Sequence, residues 1–462
     1  MDVLPGVAET AALTTSGELS AREALETCLS AIDRVDPALN AISMVLAESA
    51  RAEAAARDEA YAAGETRGPL HGVPVVIKDE VDVAGAVTTF GGLANTRPAA
   101  ADAELVRRLR GAGAVVVAKT RMPEFGQWPY TESEASGVTR NPWNREHSPG
   151  GSSGGTAAAV ASGMVPVGIG GDGGGSIRIP SAACGLLGLK PQRGRVTTAP
   201  APHLWWALGV VGPLTRTVLD SAIVYDVIRG NLDGDLYRAR DTGSFVAAAR
   251  REPGRLRIGW SVKPTLLGVR PHRSHVRAVE ETAALLAELG HEVFEVDPRY
   301  PDITTAFVPR FFAGVRSEAD VMDHYDRLEK RTRETYRLGT WVTPRVTRWA
   351  MRQAEKVSAK ANRVFEQCDV LLTPTTAHRM PRAGVIMGKG TVRSALLSQP
   401  AIAYAAMWNV AGNPAAAVPA GIADDGMPLS VQLVGRTDDE PTLLSLSAQL
   451  ERARPWPLTS PS

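Results

Sequence analysis

Residues 149–191 read PGGSSGGTAAAVASGMVPVGIGGDGGGSIRIPSAACGLLGLKP. Two glycine clusters enclose three serines, Ser152, Ser153 and Ser176. Glycine loses more entropy on folding than any other residue, so such density marks backbone that takes unusual dihedrals or approaches a ligand closely. Between the clusters the apolar run TAAAVA at 156–161 predicts the first turns of a buried helix, and residues 165–169 predict a strand. The carboxyl end of that strand delivers Gly170 to Ser176, and a second helix is expected from about 177 to 184. Open α/β sheets build their sites at this edge. Gly173, Gly174, Gly175 and Ser176 therefore read as an oxyanion-binding turn that carries a nucleophilic serine.

Towards the N-terminus, Ser20 and Glu23 form a capping box, and Leu25, Leu29, Ile32 and Val35 follow at helical spacing over 20–35. A second helix is expected over 47–63. The run Val73 to Ile77 is apolar and rich in β-branched residues, bounded by Pro and Gly, so it predicts a buried strand with Lys78 at its carboxyl end. Asp102 reads as the cap of a helix carrying Leu105, Val106 and Leu109, and residues 114–118 as another buried strand. A structureless loop is expected from 120 to 148; at that length it reads as a wall of the binding cleft. It contains Met122 and Gly126, which join the candidate substrate-binding residues.

Towards the C-terminus, residues 193–211 read as a loop holding His203, Trp205 and Trp206, followed by a helix over 217–228. A strand–helix–strand unit is expected at 255–260, 274–288 and 291–296, and a helical stretch over 302–365. Then come a strand at 369–372, a helix at 402–410, strands at 415–418 and 429–434, and a last helix at 443–450 opened by Pro441. Strands alternating with helices over most of the length indicate a layered α/β protein.

The chain has 462 residues, beyond the usual limit of one small core. Lys plus Arg number 51 against 50 Asp plus Glu, a formal charge of +1, which leaves no global field for nucleic acid or an anionic membrane. No apolar run reaches the ~18 residues of a membrane span, and no signal peptide is expected at the N-terminus. Cys28, Cys184 and Cys368 are too few and too scattered for a disulfide frame or a zinc site, so a cytoplasmic protein without a metal is expected.

Two further motifs overlap the glycine clusters. Gly168 to Gly173 fits G-x-G-x-x-G, but a dinucleotide site needs a long helix next and an acid about 20 residues on. Here Pro180 follows, and Arg193-Gly-Arg195 stands where the acid belongs. Gly151 to Gly155 fits the G-x-S-x-G nucleophile elbow, which needs an apolar strand before it and a late histidine. The preceding residues are His147-Ser-Pro-Gly-Gly151, and no downstream histidine, His378 included, sits in a Gly/Asp-rich C-terminal loop.

The segments GVPVVIK ending at Lys78, PGGSSGGTAAAV around Ser152 and GGDGGGSIRIP around Ser176 together resemble the amidase signature family. AVVVAKT at 114–120, Asn141-Pro-Trp143, CGLLGLKP at 184–191 and GVVGPLTR at 209–216 support the resemblance, which is strong over about 68–228 and returns weakly at Gly412-Asn-Pro414 and Val431-Gln-Leu433. It implies an α/β/α fold, with a central mixed sheet flanked by helices on both faces. It implies one domain over 1–462, with its core at about 65–230 and 400–455 and a variable helical lobe at about 300–366. It implies a catalytic triad of Lys78, Ser152 and Ser176, a cis peptide before Ser152, and an oxyanion pocket from Gly173, Gly174 and Gly175, with Ser153, Asp172 and Arg178 in support. The family usually has Thr or Ile where this chain has Gly173.

A serine hydroxyl attacks only once a base takes its proton, and lysine is a base only when neutral. Burial in a dry site can bring an amine from an ordinary value near ~10.4 to neutrality, and a nearby Asp79 would oppose that if it paired closely. The implied reaction is hydrolysis of a linear carboxylic amide through an acyl-enzyme, with carbamates and esters as further substrates. No cofactor is implied. The partner is a small amide, and the chain is expected as a monomer or homodimer. Trp205, Trp206, Phe125, Trp128, Phe311 and Phe312 lean towards an apolar or aromatic substrate. The alternative within the family is the glutamine-hydrolysing subunit of a tRNA-dependent amidotransferase.

Overall fold

The computed structural model describes residues 3–66 and 68–461. Its main sheet is built from β1 (Ile42–Val45), β2 (Pro74–Lys78), β3 (Val115–Thr120), β6 (Val167–Asp172), β7 (Leu187–Lys190), β8 (Val210–Thr215), β9 (Arg257–Trp260), β10 (Glu292–Glu295), β11 (Val370–Pro374), β12 (Ala415–Ile422) and β13 (Pro428–Gly435). Their order is β1-β3-β2-β6-β8-β7-β12-β13-β11-β9-β10. A small hairpin, β4 (Glu132–Ser133) with β5 (Gly137–Val138), stands apart.

The sheet is mixed. Strand β2 runs parallel to both β3 and β6, β6 through β11 alternate antiparallel, and β9 and β10 run parallel to β11. Its central strands are buried on both sides, and successive residues serve opposite layers. Val75 and Ile77 pack with the helices Val218–Ile228, Arg273–Glu288 and Glu440–Ala453. Val76 packs with Ala21–Leu39, Ala47–Ala62 and Gly154–Ala161. The expected α/β/α layering is thus present.

Several elements depart from the sequence reading. Asp102 does not cap the helix Glu104–Gly111; it accepts the Ala84 N–H at 2.8 Å and pairs with Arg110 at 2.5 Å, and Ala103 is the N-cap. The loop 120–148 contains a 3-10 turn, Glu124–Gly126, and the β4–β5 hairpin. The expected helix at 402–410 is two helices, Thr391–Ile402 and Ala406–Ala411. The break has a tertiary cause. Thr265 N–H takes the Ala403 carbonyl at 2.9 Å, Gln432 the Tyr404 carbonyl at 3.0 Å, and Arg178 the Ala405 carbonyl at 3.0 Å. All three oxygens serve partners far along the chain, and the Ala405 carbonyl also accepts the Trp408 N–H at 3.1 Å as the second helix begins.

Strands β7 and β8 depart from the sequence reading: β8 begins inside the loop expected over 193–211, with Gly212 and Pro213 interrupting its apolar run, and Gly188 interrupts that of β7. In β8, a side chain at Gly212 would fall on the Tyr225 hydroxyl, which donates to the Leu189 carbonyl. Helix Val7–Ser16 and β1 were also unread.

Candidate active site

The parallel pairing of β2 and β6 sets Ile77 opposite Ile169, so the next residues, Lys78 and Gly170, lie side by side at the carboxyl edge of the sheet. The chain entering helix Gly154–Ala161 crosses above them. Lys78 is 1% exposed, and its Nζ donates to Ser152 Oγ at 2.8 Å. The Gly151–Ser152 peptide is cis. Ser153 lies deeper, its hydroxyl donating to the Gly171 carbonyl at 3.2 Å and accepting the Gly171 N–H at 3.3 Å. This is the supporting role expected of it, and it leaves Ser152 as the serine that meets the lysine.

Asp79 does not pair with Lys78. It faces the other way, 2.9 Å from Lys119 Nζ, with Thr89 donating to its second oxygen at 2.5 Å. The lysine's carboxylate is Glu80, with Oε1 3.0 Å from Nζ. The strand ends at Lys78, and a turn closed by the Val81 N–H on the Lys78 carbonyl at 3.1 Å brings Glu80 back to the amine, which strand periodicity gives no sign of. Gly126, at φ +68°, borders the same space: a Cβ there would lie 3.0 Å from Ser152 Oγ, 3.4 Å from Met122 Cε and 3.5 Å from Glu80 Oε2. Of the two cleft-loop candidates, Gly126 borders Ser152, and Met122 lies against Gly126. Met122 is buried, so it packs beneath the site.

Beyond β6 the chain turns through Gly173, Gly174 and Gly175 to Ser176, which is partly exposed. The turn is held from below by Asp172, which is buried and accepts Gly175 N–H at 2.7 Å and Ile177 N–H at 3.1 Å. This corrects one expectation: the Gly175 amide is committed to Asp172, so it does not donate into the cleft. Gly173 and Gly174 have no such bond among the described residues and are partly exposed. Arg178 pairs with Asp172 at 3.0 Å and reaches Gln432 Oε1 at 2.7 Å and Asn409 Oδ1 at 2.6 Å; Asn409 in turn donates to the Asp172 carboxylate at 2.8 Å. Burial alone would raise the Asp172 carboxyl, but the Arg178 guanidinium overrides it and holds the group well below the usual carboxylate range. Asn409 and Gln432 were not foreseen, because they come from the far end of the chain.

A second strand-end lysine shows what the alternative looks like. Lys190, at the end of β7, is buried and donates to the Pro191 carbonyl at 2.7 Å. Burial first, and then the Arg178 charge, push it well below the ordinary lysine value.

The aromatic residues divide. Phe307 lies against the oxyanion turn, 3.5 Å from where a Gly174 Cβ would stand. It stacks on Phe311 with centroids 6.2 Å apart, and Phe311 meets Trp205 at 5.4 Å, Trp128 at 6.2 Å and Phe312 at 5.6 Å. Trp206 turns instead onto His203, and Phe125 onto Phe90. No group of three or more His, Cys, Asp or Glu placed to hold a metal is found among the described residues. His378 is exposed and bonded to the Arg270 carbonyl, so it is not the base of a nucleophile elbow.

At the carboxyl edge of the sheet a buried amine thus donates to a serine hydroxyl, and the neighbouring strand runs on into a glycine turn that carries a second serine. The chain belongs to the amidase family, whose pattern matches residues 23–444. It is 48% identical over 460 residues to AmiB2 of Mycobacterium tuberculosis, which carries the name of an amidase, covering 99% of this chain and 98% of the relative. Its fold matches 6-aminohexanoate cyclic dimer hydrolase, solved with its substrate, at a TM-score of 0.91 and 32% identity, covering 98% and 97%. It matches a bacterial aryl acylamidase of the amidase signature family at 0.89 and 28%, again covering 98% and 97%. The reaction is hydrolysis of an amide C–N bond; the amidotransferase reading is not favoured.

Proposed function

We propose that Ser176 is the nucleophile, Ser152 the relay and Lys78 the base of this amidase. The observation that carries the reading is the 2.8 Å bond between the buried Lys78 amine and Ser152. Ser176 Oγ bonds to the amide carbon while its proton passes to Ser152, whose own proton passes to Lys78. The carbonyl π pair moves onto oxygen, where the N–H groups of Gly173 and Gly174 receive it; each such donor is worth ~3–4 kcal/mol. Lys78 returns the proton through Ser152 to the leaving nitrogen, the C–N bond breaks, and water then hydrolyses the acyl-enzyme. No cofactor enters these steps.

For the substrate, the aromatic set from Phe307 through Phe311 to Trp128 and Trp205 supports an uncharged aryl or apolar amide, with carbamates and esters as side substrates. The names of the aryl acylamidase and cyclic dimer hydrolase relatives are compatible with that range. We place the enzyme in the cytoplasm as a monomer or homodimer; no described helix is long and apolar enough to cross a membrane.

Lys78→Ala, Ser152→Ala and Ser176→Ala, each verified as folded by circular dichroism, are expected to lose at least ~10³-fold in kcat, non-additively. A fluorophosphonate should label Ser176, located by mass spectrometry. Full amide turnover in all three variants would refute the assignment. On a substrate panel, anilides are expected to outrun acetamide and glutamine, and Phe311→Ala should lower kcat/KM for anilides by ~10-fold while sparing acetamide. Turnover confined to small charged amides would refute the aryl preference.

A further inference from the structure

Resting on the relay just described, we propose that Glu80 is a positioning residue for Lys78: it holds one amine hydrogen, turns the amine toward Ser152 and neutralises the ammonium formed during attack.

The geometry is that of a three-part line, with Glu80 Oε1 3.0 Å from Lys78 Nζ and Nζ 2.8 Å from Ser152 Oγ. The lysine is 1% exposed, and the Glu80 side chain is 18% exposed, so their attraction is only partly screened. The site makes room for this carboxylate. A side chain at Gly171 would land on Glu80 Oε1, and Gly126 leaves the space beside Oε2 open. Lys78 needs two things to work as a base: a fixed direction for its lone pair and a counter-charge once protonated. A carboxylate behind the base supplies both, as the aspartate does for histidine in a Ser-His-Asp triad. Proton accounting is simple: Ser176 loses one proton, Lys78 gains one, and none is transferred to Glu80.

The same charge has a cost. Coulomb attraction also draws the carboxylate toward the ammonium, which cannot accept a proton, so removing the charge is expected to extend activity to lower pH. The other charges facing the pair fall on both sides of the ledger. Asp79 is neutralised by Lys119, with Arg121 beyond it. Asp82 lies two residues on, and Glu318 faces the pair from helix Thr304–Asp320. Burial first, and then the charges of Glu80 and Asp82, push Glu318 up to about 7. Above that pH it adds a second negative charge beside Glu80.

Glu80→Gln keeps the shape and one acceptor oxygen but removes the charge. In kcat/KM profiles from pH 5 to 10, its acidic limb is expected to move to lower pH by about one unit or more, with plateau kcat reduced ~10–100-fold. Glu80→Asp, which retracts the charge, should move the limb less in the same direction, and it serves alone if E80Q does not fold. A merely structural role would lower activity without moving the limb. Variant limbs that superpose on the wild-type limb overturn this role while leaving the relay intact. Hydrolysis retained by K78A overturns the relay, and with it the role of Glu80.

Discussion

Three strand-end lysines, Lys78, Lys119 and Lys190, are buried at the carboxyl edge of one sheet and meet three different environments: Glu80, Asp79 and a lone carbonyl. The side chain alone therefore does not decide whether a buried amine is a base; its neighbour does. The same logic gives a pH dependence of stability. Glu124 is buried, its Oε2 accepting the Glu329 N–H at 2.9 Å. Burial first, and then the Glu329 charge, push its carboxyl from 4.5 up to about 7. The folded chain thus keeps a proton that the unfolded chain has already released, so stability falls as pH rises from about 4.5 through about 7. Glu318 and Glu451, both raised to about 7 and mainly by burial, act in the same direction. A Tm several degrees lower at pH 8.5 than at pH 5.5 is expected in calorimetry, and Glu124→Gln should narrow the difference. A Tm that rises over this interval would contradict the sign.

At the scale of elements, the oxyanion turn depends on how β6 hands over to helix Arg178–Cys184. Gly175 sits at φ +131°, and a Cβ there would lie 2.5 Å from Ile179 Cδ1 and 2.8 Å from Ala405 Cβ. Gly175→Ala is therefore expected to cost ~1–3 kcal/mol in urea unfolding and to lower kcat more than it raises KM, because it tilts the Gly173 and Gly174 amides. Local signals made much of this region legible. The apolar run before Lys78, the alanine helix after Gly155 and the glycine turn after the strand each follow from near-neighbour preferences. What local reading missed was settled at a distance. Tyr225 occupies the space beside Gly212, and three remote side chains and amides capture the carbonyls of 403–405. Asp102 looked like a cap until Arg110 claimed it.

Across the whole molecule, the sheet joins two halves of different character. The lysine, both serines and the glycine turn come from residues 78–176, and this half was readable in the sequence as a set. The aromatic wall is supplied by Phe307 and Phe311 of helix Thr304–Asp320, with Trp128 and Trp205 from the first half. Phe307 and Phe311 thus come from a stretch of chain that supplies none of the proposed relay, so Phe311→Ala is expected to change substrate preference without touching the proton relay.

Asp172 and Arg178 bind Asn409 and Gln432 across sequence separations of 231 to 254 residues, all without solvent. Until helix Ala406–Ala411 and β13 leave the ribosome, Arg178 lacks two of its anchors and the loop above it lacks its floor. A nascent polypeptide released early would carry Lys78, Ser152 and Ser176 yet have no competent anion pocket. Vectorial synthesis thereby delays hydrolytic power until residues 409 to 432 have been translated.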